Sequence, residues 1–287
     1  MRVFRVISYE FNKILTNYGF YAGIIFTVIM CATANVYYDY ARNEYNSTVQ
    51  VLMNFSREEM MQVVDFCSYS VFINGGNGWL SMFVPIVAAF GYIPLLCDEQ
   101  SSKTVRYSIF RTNKLQFCMG KFISALLTGG LIVFVGYAVY GLFVWITFPN
   151  LGQYSEELRN LLELKGLSEP ITLKLLLMFV YGCIWAVPAF LLSGFMKNKY
   201  LIICLPFIVK YALNQTIQRL YDFVWKDIEN PNKNLDSFLK VISPDAIRDL
   251  FYRTGIIAFI VLLNITLMGS AFVIYRFITN RRLDCGE

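Results

Sequence analysis

Six stretches of this chain are apolar for long enough to cross a bilayer, and they constrain its fold more than any motif. A hydrocarbon core about 30 Å thick takes roughly 20 residues of helix. The runs lie at about 18–37, 79–97, 122–148, 173–195, 200–213 and 255–277, the fifth being short. One such run can be a buried core helix. Six would need a larger core than 287 residues can enclose. Composition agrees: 56% of residues are hydrophobic and 16% charged, against about 25% charged in an ordinary soluble domain. The sequence reads as an all-α membrane protein with six transmembrane helices, one transmembrane domain spanning residues 1–287. A disordered chain and a nucleic-acid-binding domain are excluded, so no nucleic-acid partner is expected. The first apolar run is followed by a polar loop without a small-residue cleavage site, so it is expected to be retained as a helix.

Lysine and arginine in short loops set orientation. Arg2, Arg5 and Lys13, then Lys103, Arg106, Arg111, Lys114 and Lys121, then Lys197 and Lys199, then Arg276, Arg281 and Arg282 fall on one side, 13 in all. On the other side Arg42, Arg57, Arg159 and Lys165 face nine acids, such as Glu58, Asp65 and Glu163. Both termini are therefore expected in the cytoplasm of a multi-pass protein of the cell (plasma) membrane, with the basic residues against anionic lipid headgroups.

Much chemistry is missing. Histidine is absent, which removes His-based metal sites, triads and proton relays. No phosphate-binding loop, nucleophile elbow or CxxC occurs. Only Cys67 falls clearly outside, so no external disulfide is expected. Asn74 to Gly78 (NGGNG) reads as a flexible external turn. Lys174 and Lys210 read as lying near helix ends, where they snorkel to the interface. With no carboxylate inside a span, the sequence argues against an ion-coupled transporter and a lipid-modifying enzyme. No catalytic residue and no metal ligand is expected.

Residues 2–17 repeat Phe4, Ile7, Phe11 and Ile14 at three- and four-residue steps, the pattern of an amphipathic helix anchored in the membrane interface. The cytoplasmic loop 98–120 carries cap residues Ser101 and Ser102 before a short helix at Thr104 to Arg111. The external segment 214–254 carries an apolar stripe, Leu235, Phe238, Leu239 and Ile242, read as short helices capping the membrane part. Gly129, Gly130, Gly136 and Gly141 in the third run read as close helix contacts.

Phe90-Gly91-Tyr92, Asp98-Glu99-Gln100-Ser101-Ser102-Lys103-Thr104-Val105-Arg106, Arg111-Thr112-Asn113-Lys114 and Gly120-Lys121 together resemble the ABC-2 type permeases. Glu99 matches that family's glutamate after the second helix, Thr104 its threonine and Gly120-Lys121 its Gly-Lys. Lys103 replaces the usual glycine, and the usual proline is absent. The resemblance implies a type V exporter-like ABC-2 fold in which the loop 98–120 holds a coupling helix. It implies an ABC ATPase subunit dimer as partner, holding the ATP and Mg, so that this chain is no enzyme and carries no cofactor itself. It also implies a second permease, identical or homologous. Carried over, Glu99, Ser102, Thr104, Val105 and Arg106 would position or contact the ATPase, with Lys197 and Lys199 in a second, smaller contact. The implied activity is export of an amphipathic or hydrophobic substrate, foremost an antimicrobial or toxic peptide such as a bacteriocin, lantibiotic or phenol-soluble modulin. The alternatives are lipid, drug or polysaccharide export, or a channel or scaffold without an ATPase.

Overall fold

A computed structural model describes residues 2–39, 43–102, 113–154, 170–196, 198–224, 233–250 and 257–284. The described chain is mostly helical. Helix α1 (Arg2–Leu15) is followed by α2 (Tyr18–Ala32), and the pair bends by 67°. The break is made by Asn17, whose side chain caps the Gly19 amide at 3.1 Å and donates to the Gly91 carbonyl at 3.2 Å. Five further helical stretches are long and apolar enough to cross a membrane, six if the bent pair counts as one span.

The chain is not entirely helical. The first span stops at Ala32 rather than near residue 37, and an antiparallel hairpin follows, β1 (Asn35–Asp39) with β2 (Glu44–Ser47). Val36, Tyr37 and Tyr38 favour a pleated strand over a helix. Asn43 adopts the left-handed φ of 56° that brings the chain back. Two short helices, α3 (Thr48–Asn54) and α4 (Arg57–Met60), begin with reciprocal capping boxes at Ser47/Gln50 and Ser56/Glu59.

The stretch expected as a flexible turn belongs instead to the bundle. Helices α5 (Ser68–Asn77), α6 (Trp79–Phe90) and α7 (Ile93–Ser101) run end to end, antiparallel to α8 (Lys114–Thr147). Ser68 N–H bonds the Pro149 carbonyl at one end, and Glu99 pairs with Lys121 at the other. Gly75 and Gly76 lie inside α5 because nothing larger fits. A Cβ on Gly75 would meet the Tyr140 hydroxyl at 2.2 Å, and one on Gly76 would meet the Tyr137 ring at 2.6 Å. The same two tyrosines donate to the Val71 and Phe72 carbonyls, at 3.1 and 2.8 Å. Cys67 is fully buried beside Tyr154.

Helix α9 (Ile171–Ser193) packs on α8 through backbone contact. A Cβ on Gly182 would sit 2.6 Å from the Gly129 carbonyl, and one on Gly130 would sit 2.5 Å from the Cys183 sulfur. Helix α10 (Lys199–Val224) is 26 residues long, about 39 Å at 1.5 Å per residue. This helix therefore continues to residue 224, past residue 213 where the fifth apolar run ends. Asn214, Gln215 and Gln218 all lie on this helix. Helix α11 (Lys233–Ile242) buries Leu239 and Val241 and leaves Phe238 and Ile242 largely exposed. Helix α12 (Ile257–Asp284) closes the described chain, with most of its apolar side chains facing outward.

Substituting the buried contact glycines tests this packing. Gly75→Leu and Gly182→Leu are each expected to cost about 1–3 kcal/mol by overpacking, read as a lower melting temperature of the purified protein. Gly152→Ala, where a Cβ meets nothing within 4 Å, should leave it unchanged.

Candidate functional site

Two buried ionic clusters lie within the bundle. The first is at the end that holds the N-terminus. Glu10 of α1 accepts from Lys121 Nζ of α8 at 2.6 Å and from the Tyr92 hydroxyl at 3.3 Å. Glu99 of α7 accepts from both Lys121 and Lys13. Two carboxylates and two ammonium groups thus neutralise one another, and Lys121 also lies 5.5 Å from the centroid of the Phe117 ring. The cluster ties α1, α7 and α8 into one unit just before residues 103–112.

Several sequence expectations change here. Ile14 is fully buried in the protein core rather than dipping into lipid. Ile7 and Phe11 are half-buried, and Phe4 is exposed. Helix α1 is therefore held by Glu10, Lys13 and Ile14 against the bundle, with Val6 against Gly120. Glu99 pairs with the two lysines Lys13 and Lys121. Ser102 is exposed and returns its hydroxyl to the Asp98 carbonyl at 2.8 Å. Lys199 reaches Asp98 at 3.5 Å, so the end of α7 and the start of α10 lie side by side. Thr104, Val105, Arg106 and Lys197 lie outside the described residues.

The second cluster was not foreseen. Proline 85 lies inside α6, and a proline has no N–H to give the carbonyl four residues earlier. That carbonyl belongs to Ser81. It accepts instead from Lys210 Nζ of α10 and from the Tyr181 hydroxyl of α9, the latter at 3.2 Å. Asp245, in the turn after α11, completes the group. It pairs with Lys210 at 3.0 Å, accepts from the Ser81 hydroxyl at 2.9 Å and bonds the Tyr181 hydroxyl. Burial raises the pKa of Asp245, but Lys210 and then Arg248 more than offset this and hold it below the usual carboxylate range. Arg248 is itself bound by both Asp249 oxygens at 2.8 Å and reaches the Asn77 carbonyl at 3.5 Å, where α5 gives way to α6.

Lys210 is fully buried in the middle of α10, and Lys174 is buried too. Neither snorkels. The expectation failed for Lys210 because it rested on a fifth span ending near residue 213. The missed signal was the set of interior prolines, Pro85, Pro188 and Pro206. Each frees a carbonyl that must find another donor.

Beside this cluster lies a cavity of about 360 Å³ between α9, α12 and the turn after α11, with mostly apolar walls. Among the described residues no group of His, Cys, Asp and Glu side chains is arranged to hold a metal ion. Comparison with known protein families and with curated proteins finds no match.

Removing one member of a buried ion pair leaves the other uncompensated, which typically costs about 3–5 kcal/mol. Lys210→Met is expected to destabilise the protein by that order in a denaturation titration. Lys210→Met with Asp245→Asn should recover most of the loss. Tyr181→Phe removes a hydroxyl bonded to both the Ser81 carbonyl and Asp245 and should cost about 1.5–3 kcal/mol, the range for hydrogen bonds to charged groups.

Proposed function

We propose that this chain is the membrane-spanning permease subunit of an ATP-driven ABC transporter of the ABC-2 type, exporting an amphipathic or hydrophobic substrate. The observation that carries this is the contact of Asp98 with Lys199. The two stretches that the family resemblance assigns to an ATPase, one after the second span and one between the fourth and fifth, begin next to each other on one end of the bundle. The Glu10–Lys121–Glu99–Lys13 cluster supports the reading mechanically. A push on residues 103–112 is passed to α1, α7 and α8 together, because separating those helices would expose unpaired charges to an apolar interior. ATP and Mg belong to the partner subunit on this reading, and a second permease completes the transporter. The favoured cargo is an antimicrobial or toxic peptide. Five to six apolar spans fit a multi-pass protein, which we place in the cell membrane with both termini inside.

The test is co-purification of the full chain with the ATPase encoded beside it. Val105→Asp puts a charge where an apolar contact is expected. It should cut the co-purifying ATPase activity by about tenfold or more while the chain itself accumulates normally. Equal activity with wild type and variant would sink the coupling reading, and no co-purifying ATPase at all would favour a channel or scaffold. Orientation is read separately. A membrane-impermeant thiol reagent added outside cells should label Gly152→Cys and miss Asn113→Cys, and the reverse pattern overturns the assigned topology.

A further inference from the structure

We propose that residues 243–249, the turn after α11, form a releasable strap over Lys210, with Asp245 as its latch. Lys210 lies midway along α10, and Tyr181 lies midway along α9. A turn whose Asp245 bonds both of them enters the bundle to mid-height. Ser243-Pro244 makes the entry. A proline disfavours helix in the residue before it, and α11 ends at Ile242.

The strap holds together as one piece. The Ala246 N–H bonds the Ser243 carbonyl at 2.9 Å, and the Asp249 N–H bonds the Asp245 carbonyl at 3.2 Å. Arg248 is gripped by both Asp249 oxygens. Among the described residues, the polar hold of the strap on the helices comes from two side chains. Asp245 meets Lys210, Ser81 and Tyr181, and Arg248 reaches the Asn77 carbonyl at 3.5 Å.

Lifting the strap disturbs little else. The Ser81 carbonyl, freed by Pro85, keeps Lys210 and Tyr181 as donors when Asp245 leaves, so no backbone group of the bundle is orphaned. Ala246 and Ile247 pack with Val180, Ile184 and Ile260 in a small cluster separate from the main core. Ser243, Pro244, Ala246 and Ile247 also border the 360 Å³ cavity. On that side the strap meets a void rather than close-packed side chains, whose contacts would otherwise hold it. Charge is what keeps it shut. A lifted strap carries Asp245 away beside the mutually paired Arg248 and Asp249, and it leaves Lys210 without its counter-charge. Breaking a buried pair is strongly unfavourable, so the closed state dominates, and opening uncovers the Lys210 ammonium group. This device needs neither ATP nor a partner subunit, so it stands apart from the transport reading.

The test uses the full chain in phosphatidylcholine nanodiscs, with Ser81→Cys as reporter. That thiol replaces the hydroxyl that Asp245 covers. Its reaction with a water-soluble methanethiosulfonate cation is followed by peptide mass spectrometry. Native Cys31, fully buried in the main core, and Gly152→Cys, at an exposed position, are followed beside it. The reporter is expected to react at least about tenfold faster than Cys31, because local opening requires less free energy than global unfolding. It should react far more slowly than Gly152→Cys. Asp245→Asn removes the counter-charge and should speed the reporter about a hundredfold or more, while Cys31 stays protected. Ile247→Ala loosens the strap without touching the ion pair and should speed it at least about tenfold. That second variant decides the matter if Asp245→Asn fails to accumulate. The proposal is overturned if the reporter and Cys31 react at one rate in every variant, since the seat then opens only with the whole fold. It is equally overturned if the reporter already reacts as fast as Gly152→Cys, or if neither substitution changes its rate.

Discussion

A backbone carbonyl inside an apolar bundle must find a donor, and Pro85 takes one away from Ser81. Ser81 is buried between helices, and a backbone carbonyl kept from water there has to be satisfied within the protein. The replacement donors, Lys210 and Tyr181, come from two other spans. Burying an ammonium group then requires a counter-charge, and Asp245 brings the turn after α11 into the bundle to provide it. One missing N–H thus fixes the relative positions of α6, α9, α10 and the segment that follows α11. The neutrality of the finished cluster follows from the same constraint, since any surplus charge would be stranded.

The first cluster obeys the same logic at the end that holds the N-terminus. Lys121 is held between Glu10 and Glu99, and Lys13 balances the second carboxylate. Because these groups come from α1, α7 and α8, the helix that begins the chain is bound to the helices that flank residues 103–112. An amphipathic helix resting on lipid alone would slide freely. One locked by ion pairs moves with its neighbours.

Between the clusters the packing depends on small residues. Gly129, Gly130 and Gly182 let α8 and α9 approach to backbone contact, while Gly75 and Gly76 admit the rings of Tyr140 and Tyr137. Only at the third-run glycines was a close contact legible in the sequence. The NGGNG stretch read as a turn because glycine and asparagine normally break helices in water. Inside the bundle, the space that tyrosine rings demand outweighs that propensity. Helix α12 shows the opposite balance: few of its residues are buried, and its loose seat against α9 leaves the mostly apolar cavity.

The sequence by itself determined that the chain forms long helices apolar enough to cross a membrane, their approximate places and the amphipathic first helix. Apolar run length and helical period are local properties that each segment carries alone. It also determined which chemistry is absent, since a chain without histidine cannot build a histidine site. The tertiary structure alone decided which charges are buried. Glu10, Glu99, Lys121, Lys210 and Asp245 look like ordinary interface or loop residues along the chain, and their hydrogen-bond partners lie from 22 to 164 positions away. Whether a charge is solvated or paired depends on what other segments bring beside it, and no local pattern encodes that.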